Sequence, residues 1–190
     1  MTHRRLSQAL AEGDGISLLV EVGDGAAAER AEQGGAEGLV ARGAGAGLRA
    51  HSGLPVLAYG LAPDAAATDS ADAVVLTAAD DDTLDDDAAR CDELGLEIVV
   101  RVRDDEELER ALEHLDPEIF LLTAERAHDE QDQLDRVLEL LPDVPAGKLA
   151  IAELSDASRE DVEALERAGV DAVLVTGDVE ALVGDAVPDV

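Results

Sequence analysis

The sequence predicts a compact α/β fold, a single (β/α)8 barrel of the TIM type. Three observations predict it. Eight short apolar runs, rich in β-branched residues, recur along the 190 residues, about one every 24. Most are followed by an acidic or Ala-rich stretch with helical character, and strands that alternate with helices must lie parallel. The runs are close to continuously apolar, which implies burial on both faces. Eight such units close a barrel; an open doubly wound sheet is the alternative, weakened by the lack of G-x-G-x-x-G after the first run. Residues 1–190 read as one domain, with 1–15 a short N-terminal segment.

The elements follow in order. Strands are expected at 16–22, 38–42, 55–59, 73–77, 97–102, 119–123, 149–153 and 172–176. Helices are expected at 26–33, 83–94, 105–115, 130–141, 159–168 and 179–184. The second unit has only a short Gly-rich segment to His51, and the third only weak material over 63–70. Asp104 to Glu107 place carboxylates where a helix dipole favours them. Ser158 with Asp161 reads as a capping box, with Asp replacing Glu. Gly95 and Gly169 stand where helices end, and Asp178 reads as the N-cap of the last helix.

Composition excludes several functions. The chain has 14 Lys+Arg against 45 Asp+Glu, a formal net charge of −31. Nucleic acid and anionic membranes are repelled by such a charge. No apolar run approaches the ~18–20 residues of a membrane span. The N-terminus lacks the apolar stretch of a signal peptide, so the expected location is cytoplasmic. The acidity, with scarce Lys and small core residues, fits a high-salt, halophilic cytoplasm, where screening removes the self-repulsion. A specific polyanion role centred on Asp80–Asp82 and Asp85–Asp87 is the other reading. One cysteine, Cys91, rules out an internal disulfide or a cysteine-based zinc site and reads as a small core residue. His51, His114 and His128 read as surface histidines, and no metal site is expected. Tyr59 and Phe120 are the only aromatics, so stacking sites for bases or flavins are excluded. Lys148 is the only lysine.

Several segments together resemble one family. Ala71-Asp72-Ala73-Val74-Val75-Leu76, Val99-Val100-Arg101-Val102-Arg103-Asp104-Asp105-Glu106-Glu107-Leu108, Ile151-Ala152-Glu153 running to Glu160-Asp161-Val162, Ala168-Gly169-Val170-Asp171-Ala172-Val173-Leu174-Val175 and Leu54-Pro55-Val56-Leu57 resemble indole-3-glycerol-phosphate synthase. The similarity is best from Asp72 to Gly177. It implies a ribulose-phosphate-binding type of barrel and a ring-closing decarboxylation in tryptophan biosynthesis. No cofactor is implied. A lysine serves the family as general acid, a second lysine and two glutamates assist, and loops seven and eight hold the substrate phosphate.

Carried onto this sequence, the resemblance keeps Glu21 and Glu153 as catalytic glutamates. Both lysines are replaced, one by Gly23 and the acid by Tyr59. The strand-five glutamate becomes Arg101, the strand-six N-N-R becomes Thr123-Ala124-Glu125, and the family's N-terminal helical extension is shortened. Tyr59 is the candidate substitute acid; its ordinary pKa of ~10 makes it a weak one. Ser155, Thr176 and Gly177, with Arg101, are candidate phosphate ligands. Asp156 and Asp178 oppose them by charge. Glu21 and Glu153 could instead be ion-paired to Arg101 or Arg103. Arg101 and Arg103 share strand parity, so both are expected on one side; with Arg42 they could bind an anion. The expectation is therefore a degenerate lyase with weak or no activity and a phosphorylated small-molecule substrate. The alternatives are a non-catalytic binding or interaction module, and a barrel that takes a different small anionic ligand.

Overall fold

The computed structural model describes residues 5–13, 15–43, 47–78, 81–124, 130–176 and 182. Eight parallel strands close a barrel in sequence order: β1 (Ser17–Glu21), β2 (Gly38–Arg42), β3 (Val56–Tyr59), β4 (Ala73–Thr77), β5 (Glu97–Val102), β6 (Ile119–Thr123), β7 (Leu149–Glu153) and β8 (Ala172–Val175). Pairing of β1 with β8, Leu19 opposite Leu174, closes the sheet and excludes the open doubly wound alternative. Helices α2 (Gly25–Gln33), α3 (Pro63–Thr68), α4 (Asp81–Leu94), α5 (Asp105–His114), α6 (Glu130–Leu140) and α7 (Arg159–Ala168) follow strands one and three to seven. After β2 the crossover contains only a 3-10 turn, Leu48–Ala50. The expected helix at 179–184, Leu182 apart, its N-cap Asp178, and His128 lie outside the described residues.

Alternation along each strand divides the core in two. Leu19, Val40, Leu57, Val75, Val99, Leu121, Ile151 and Leu174 fill the barrel interior. Leu18, Leu39, Val100, Phe120, Leu122 and Val173 face outward under the helices. Cys91 belongs to the outer layer, packed with Val74, Leu76 and Leu84. Burial, and then Asp87 and Asp92, push its thiol up to about 12, so it is inert packing. Gly38 is closely packed: a Cβ there would meet Leu19 Cδ2 at 2.5 Å, so the Leu19 side chain would have to shift.

The N-terminal segment is more than a remnant. It forms α1 (Arg5–Glu12), whose Leu6 and Leu10 are buried among the interior strand residues and stopper the bottom of the barrel. Glu97, buried at the start of β5, accepts from Leu6 N at 2.6 Å and Ser7 N at 3.0 Å. A carboxylate there satisfies two first-turn amides and faces the positive end of the helix dipole.

Two aspartates that carry the family resemblance also work at this end. Asp72, just before β4, accepts from Val56 N at 2.8 Å, the first residue of β3. Asp171, just before β8, accepts from Ala150 N of β7 at 2.7 Å. Arg5 and Arg49 both pair with Asp72. Helix ends behave as read. Ser158 and Asp161 form the capping box, and Gly169 (φ 93°) takes the left-handed C-cap position of α7. Asp104 is the N-cap of α5, one position before the first turn.

Candidate active site

The C-terminal ends of barrel strands point their last inward residues into one mouth. In a (β/α)8 barrel this is the end where sites are built. Strand parity places Glu21, Arg42, Tyr59, Thr77, Arg101, Thr123 and Glu153 there, from β1 through β7.

Arg42 is the centre of the site. Its Nε donates to Glu21 Oε2 at 2.7 Å and its Nη2 donates to Glu153 Oε1. Its guanidinium lies 4.0 Å from the Tyr59 ring centroid, at cation–π distance. Tyr59 in turn donates its hydroxyl to Glu153 Oε2 at 3.1 Å. Strands β3 and β7 stand on opposite sides of an eight-stranded ring, so these contacts form a bar across the mouth. Burial works to lower the Arg42 pKa, but the hydrogen bonds to Glu21 and Glu153 outweigh it and raise it. Arg42 is a permanent cation and no proton donor. Burial first, then the Glu153 charge, pushes the Tyr59 phenol above its ordinary value, against the opposing pull of Arg101 and Arg42.

The structure thus brings Glu21, Glu153 and Tyr59 together, as the sequence analysis grouped them. It corrects their partner: the glutamates pair with Arg42, not with Arg101 or Arg103. Arg103 is also corrected. It lies past the end of β5, and its Nε donates to Glu107 Oε1 of α5 at 2.8 Å. The acidic first turn of that helix claims it, which strand parity alone cannot foresee. Arg101 does point into the mouth, with its Cζ 5.9 Å from the Tyr59 ring centroid.

The remaining candidates are dispersed. Ser155 is exposed just past β7, and its N–H donates to Gln133 Oε1 at 3.4 Å. Thr176 is exposed just past β8, and its hydroxyl donates to Ser155 O at 2.5 Å. The two loops are tied to each other by that contact. Gly177 and Glu125 lie outside the described residues. Gly23 is exposed, and a Cβ there would meet nothing within 4 Å, so the fold leaves room for a long side chain. Lys148 stands at the opposite end of the barrel, its Nζ donating to Asp116 Oδ1 at 2.5 Å. Among the described residues no group of three or more His, Cys, Asp or Glu is placed to hold a metal ion. Nor is any helix among them long and apolar enough to cross a membrane.

Thr77 and Thr123 were not singled out from the sequence. Their signal is positional: each is the last residue of its strand and shares the inward parity of Val75 or Leu121.

Comparison with known proteins bears on this geometry. Among solved structures, an N-acetylmannosamine-6-phosphate 2-epimerase from Clostridium perfringens superposes with a TM-score of 0.68. Identity is 15%, over 87% of this chain and 88% of that one. A tryptophan synthase alpha-subunit mutant from Pyrococcus furiosus superposes with a TM-score of 0.64 and 13% identity, over 85% of this chain and 86% of that one. At these identities they share the fold. The indole-3-glycerol phosphate synthase of Variovorax paradoxus (strain S110) is 36% identical over 183 residues, covering 90% of this chain. The chain spans 64% of that relative's own length. The family model for indole-3-glycerol phosphate synthase matches residues 64–184, more than half of the sequence, and the chain belongs to that family.

Proposed function

We propose that this barrel descends from the ring-closing lyase but carries out its reaction weakly or not at all, and that its mouth is kept for a small anionic ligand. The observation that carries the reading is Arg42 bridging Glu21 and Glu153 in a mouth where both lysine positions hold other residues. A positioned proton donor or acceptor contributes roughly 10²- to 10⁴-fold in rate. Tyr59, with its phenol raised, is a poorer acid than an ordinary tyrosine. Arg42 cannot donate, and Lys148 is engaged at the far end. The two glutamates remain as possible proton acceptors, each already holding the Arg42 guanidinium.

The same reading sets the protein in a high-salt cytoplasm, supported by its formal charge of −31. Screening by molar salt shortens the Debye length to ~3 Å and relieves the self-repulsion of so acidic a surface.

The test is turnover of the carboxyphenylamino-deoxyribulose phosphate by purified protein in molar KCl, followed by indole fluorescence. Folding is checked by circular dichroism. The expected result is turnover at or near background. A rate in the ordinary enzymatic range, roughly 1–10³ s⁻¹, overturns the reading and makes Tyr59 the working acid.

A further inference from the structure

The bar across the mouth is one positive charge short. A single guanidinium, Arg42, holds two carboxylates, and neither of them bonds to Arg101. Glu153 spends both oxygens, Oε1 on Arg42 and Oε2 on the Tyr59 hydroxyl. Glu21 spends only Oε2, and among the described residues nothing donates to its Oε1. Its side chain is 29% exposed and that of Arg42 is 38% exposed, so both are reached from solvent. The segments that follow β1 and its two neighbours β2 and β8, residues 22–25, 44–46 and 177–181, carry no Lys or Arg. Two residues beyond Glu21, Gly23 is exposed, and a Cβ there would meet nothing within 4 Å. An acceptor without a cation of its own therefore borders open space. Beside it, Arg42 has donors to spare. A guanidinium carries five N–H groups, and the bonds to Glu21 and Glu153 use two of them. A simple anion that approaches the others still faces two carboxylates. An anion that brings an ammonium with it finds an opposite charge at each end.

We propose that Glu21 and Arg42 form a subsite for a small ligand that carries a primary ammonium close to its carboxylate or phosphate. The ammonium takes Glu21 Oε1, in the space next to Gly23. The anionic group takes the remaining donors of Arg42 through charge-assisted bonds. The inference rests on the reading that the mouth binds a small anion, and it names the second group that anion carries. Bound this way, the ligand leaves each glutamate with its own cation, which a simple anion does not.

The chain carries its own reporter. Tyr59 is its only tyrosine, it has no tryptophan, and Arg42 lies on the Tyr59 ring, so tyrosine emission follows the mouth. The experiment titrates five probes at pH 7 and constant ionic strength: β-alanine and phosphoethanolamine, which carry both charges; acetate and inorganic phosphate, the anion alone; and ethylammonium, the cation alone. At that pH the amines are charged. At least one two-charge probe should saturate at a concentration about tenfold or more below its anion-only counterpart. The tighter of the two identifies the anionic group. Gly23→Lys sets the chain's own ammonium beside Glu21 and should abolish this advantage. Gly23→Gln, of similar reach without the charge, should keep it. Glu21→Gln should lose it as Gly23→Lys does, and circular dichroism checks that each variant is folded. An advantage that survives both Gly23→Lys and Glu21→Gln overturns the subsite. So does ethylammonium binding as tightly as β-alanine and phosphoethanolamine, since Arg42 then takes no part. Acetate or phosphate binding as tightly as its two-charge counterpart overturns the subsite but leaves an anion-binding mouth standing. No saturable response to any probe in folded protein overturns the subsite and the anion-binding half of the proposed function together. The turnover assay remains the separate test of the lost reaction.

Discussion

At the bottom of the barrel, Asp72 and Asp171 each hold a main-chain amide of the preceding strand, and Glu97 holds the first turn of α1. At the top, Glu21 and Glu153 hold a side chain, Arg42. The bottom carboxylates satisfy backbone groups that the barrel has in any sequence. A backbone amide left buried without a partner costs about 1–3 kcal/mol, so those positions resist change. The top carboxylates face side chains that need not be there. Of the segments that resemble the synthase family, Ala71-Asp72-Ala73 and Val170-Asp171-Ala172 lie at the bottom, while Val99 to Leu108 and Ile151-Ala152-Glu153 run to the top.

The strongest way to break this comparison is to restore the top and see whether chemistry returns. Gly23→Lys meets no steric obstacle, since a Cβ there touches nothing within 4 Å. Tyr59→Lys sets an ammonium where the phenol now donates to Glu153. With the proton-transfer groups back on an intact barrel, the double variant should raise indole-forming turnover by about 10²-fold or more over the unmodified chain. If the folded double variant stays at background, the lysines are not what the mouth lacks, and the Arg42 bar itself becomes the obstacle.

The bottom should answer in stability. Leu6 is fully buried in the interior, and Leu6→Ala should cost about 2–5 kcal/mol, read as a lower denaturation midpoint. Glu97→Ala removes the acceptor of two amides and should also destabilise, by about 1–3 kcal/mol for each amide left buried. Neither change should move ligand binding at the mouth. A small loss in both would mean that α1 merely rests against the barrel.

Much of this fold was legible because its signals are local and periodic. Eight apolar runs, the Ser158–Asp161 capping box and Gly169 each follow from neighbours in sequence. The plug did not show itself, because its partner Glu97 is 91 residues from Leu6. A glutamate opening a mostly apolar strand was the available clue. In the mouth, Glu21, Tyr59 and Glu153 were grouped by the family resemblance, and the structure joins Tyr59 to Glu153 directly and Glu21 to Glu153 through Arg42. The Arg42 bar escaped because the link from Arg42 to Glu153 spans 111 residues and runs across the barrel, where sequence records parity but not reach. Arg103 had the right parity and was captured by Glu107, a contact four residues along that strand periodicity does not register.

The smallest effect, and the sharpest on the mouth, is read from the Tyr59 phenol. Being the only tyrosine, it can be titrated by its phenolate absorbance without interference. Burial and the Glu153 charge raise it, while Arg101 and Arg42 pull it down. Arg42→Gln removes one of those opposing pulls, so the ionisation should move further up; Glu153→Gln removes a raising charge and should move it down. The linkage to folding has a definite sign. A phenol raised in the folded state favours folding fully below the unfolded value of ~10, and that contribution is lost as pH climbs through the folded value. Stability of the unmodified chain should therefore fall in this alkaline window, and Tyr59→Phe should flatten the fall. If Arg42→Gln leaves the phenol where it was, the guanidinium is not seated on the ring, and the bar across the mouth is not the arrangement in solution.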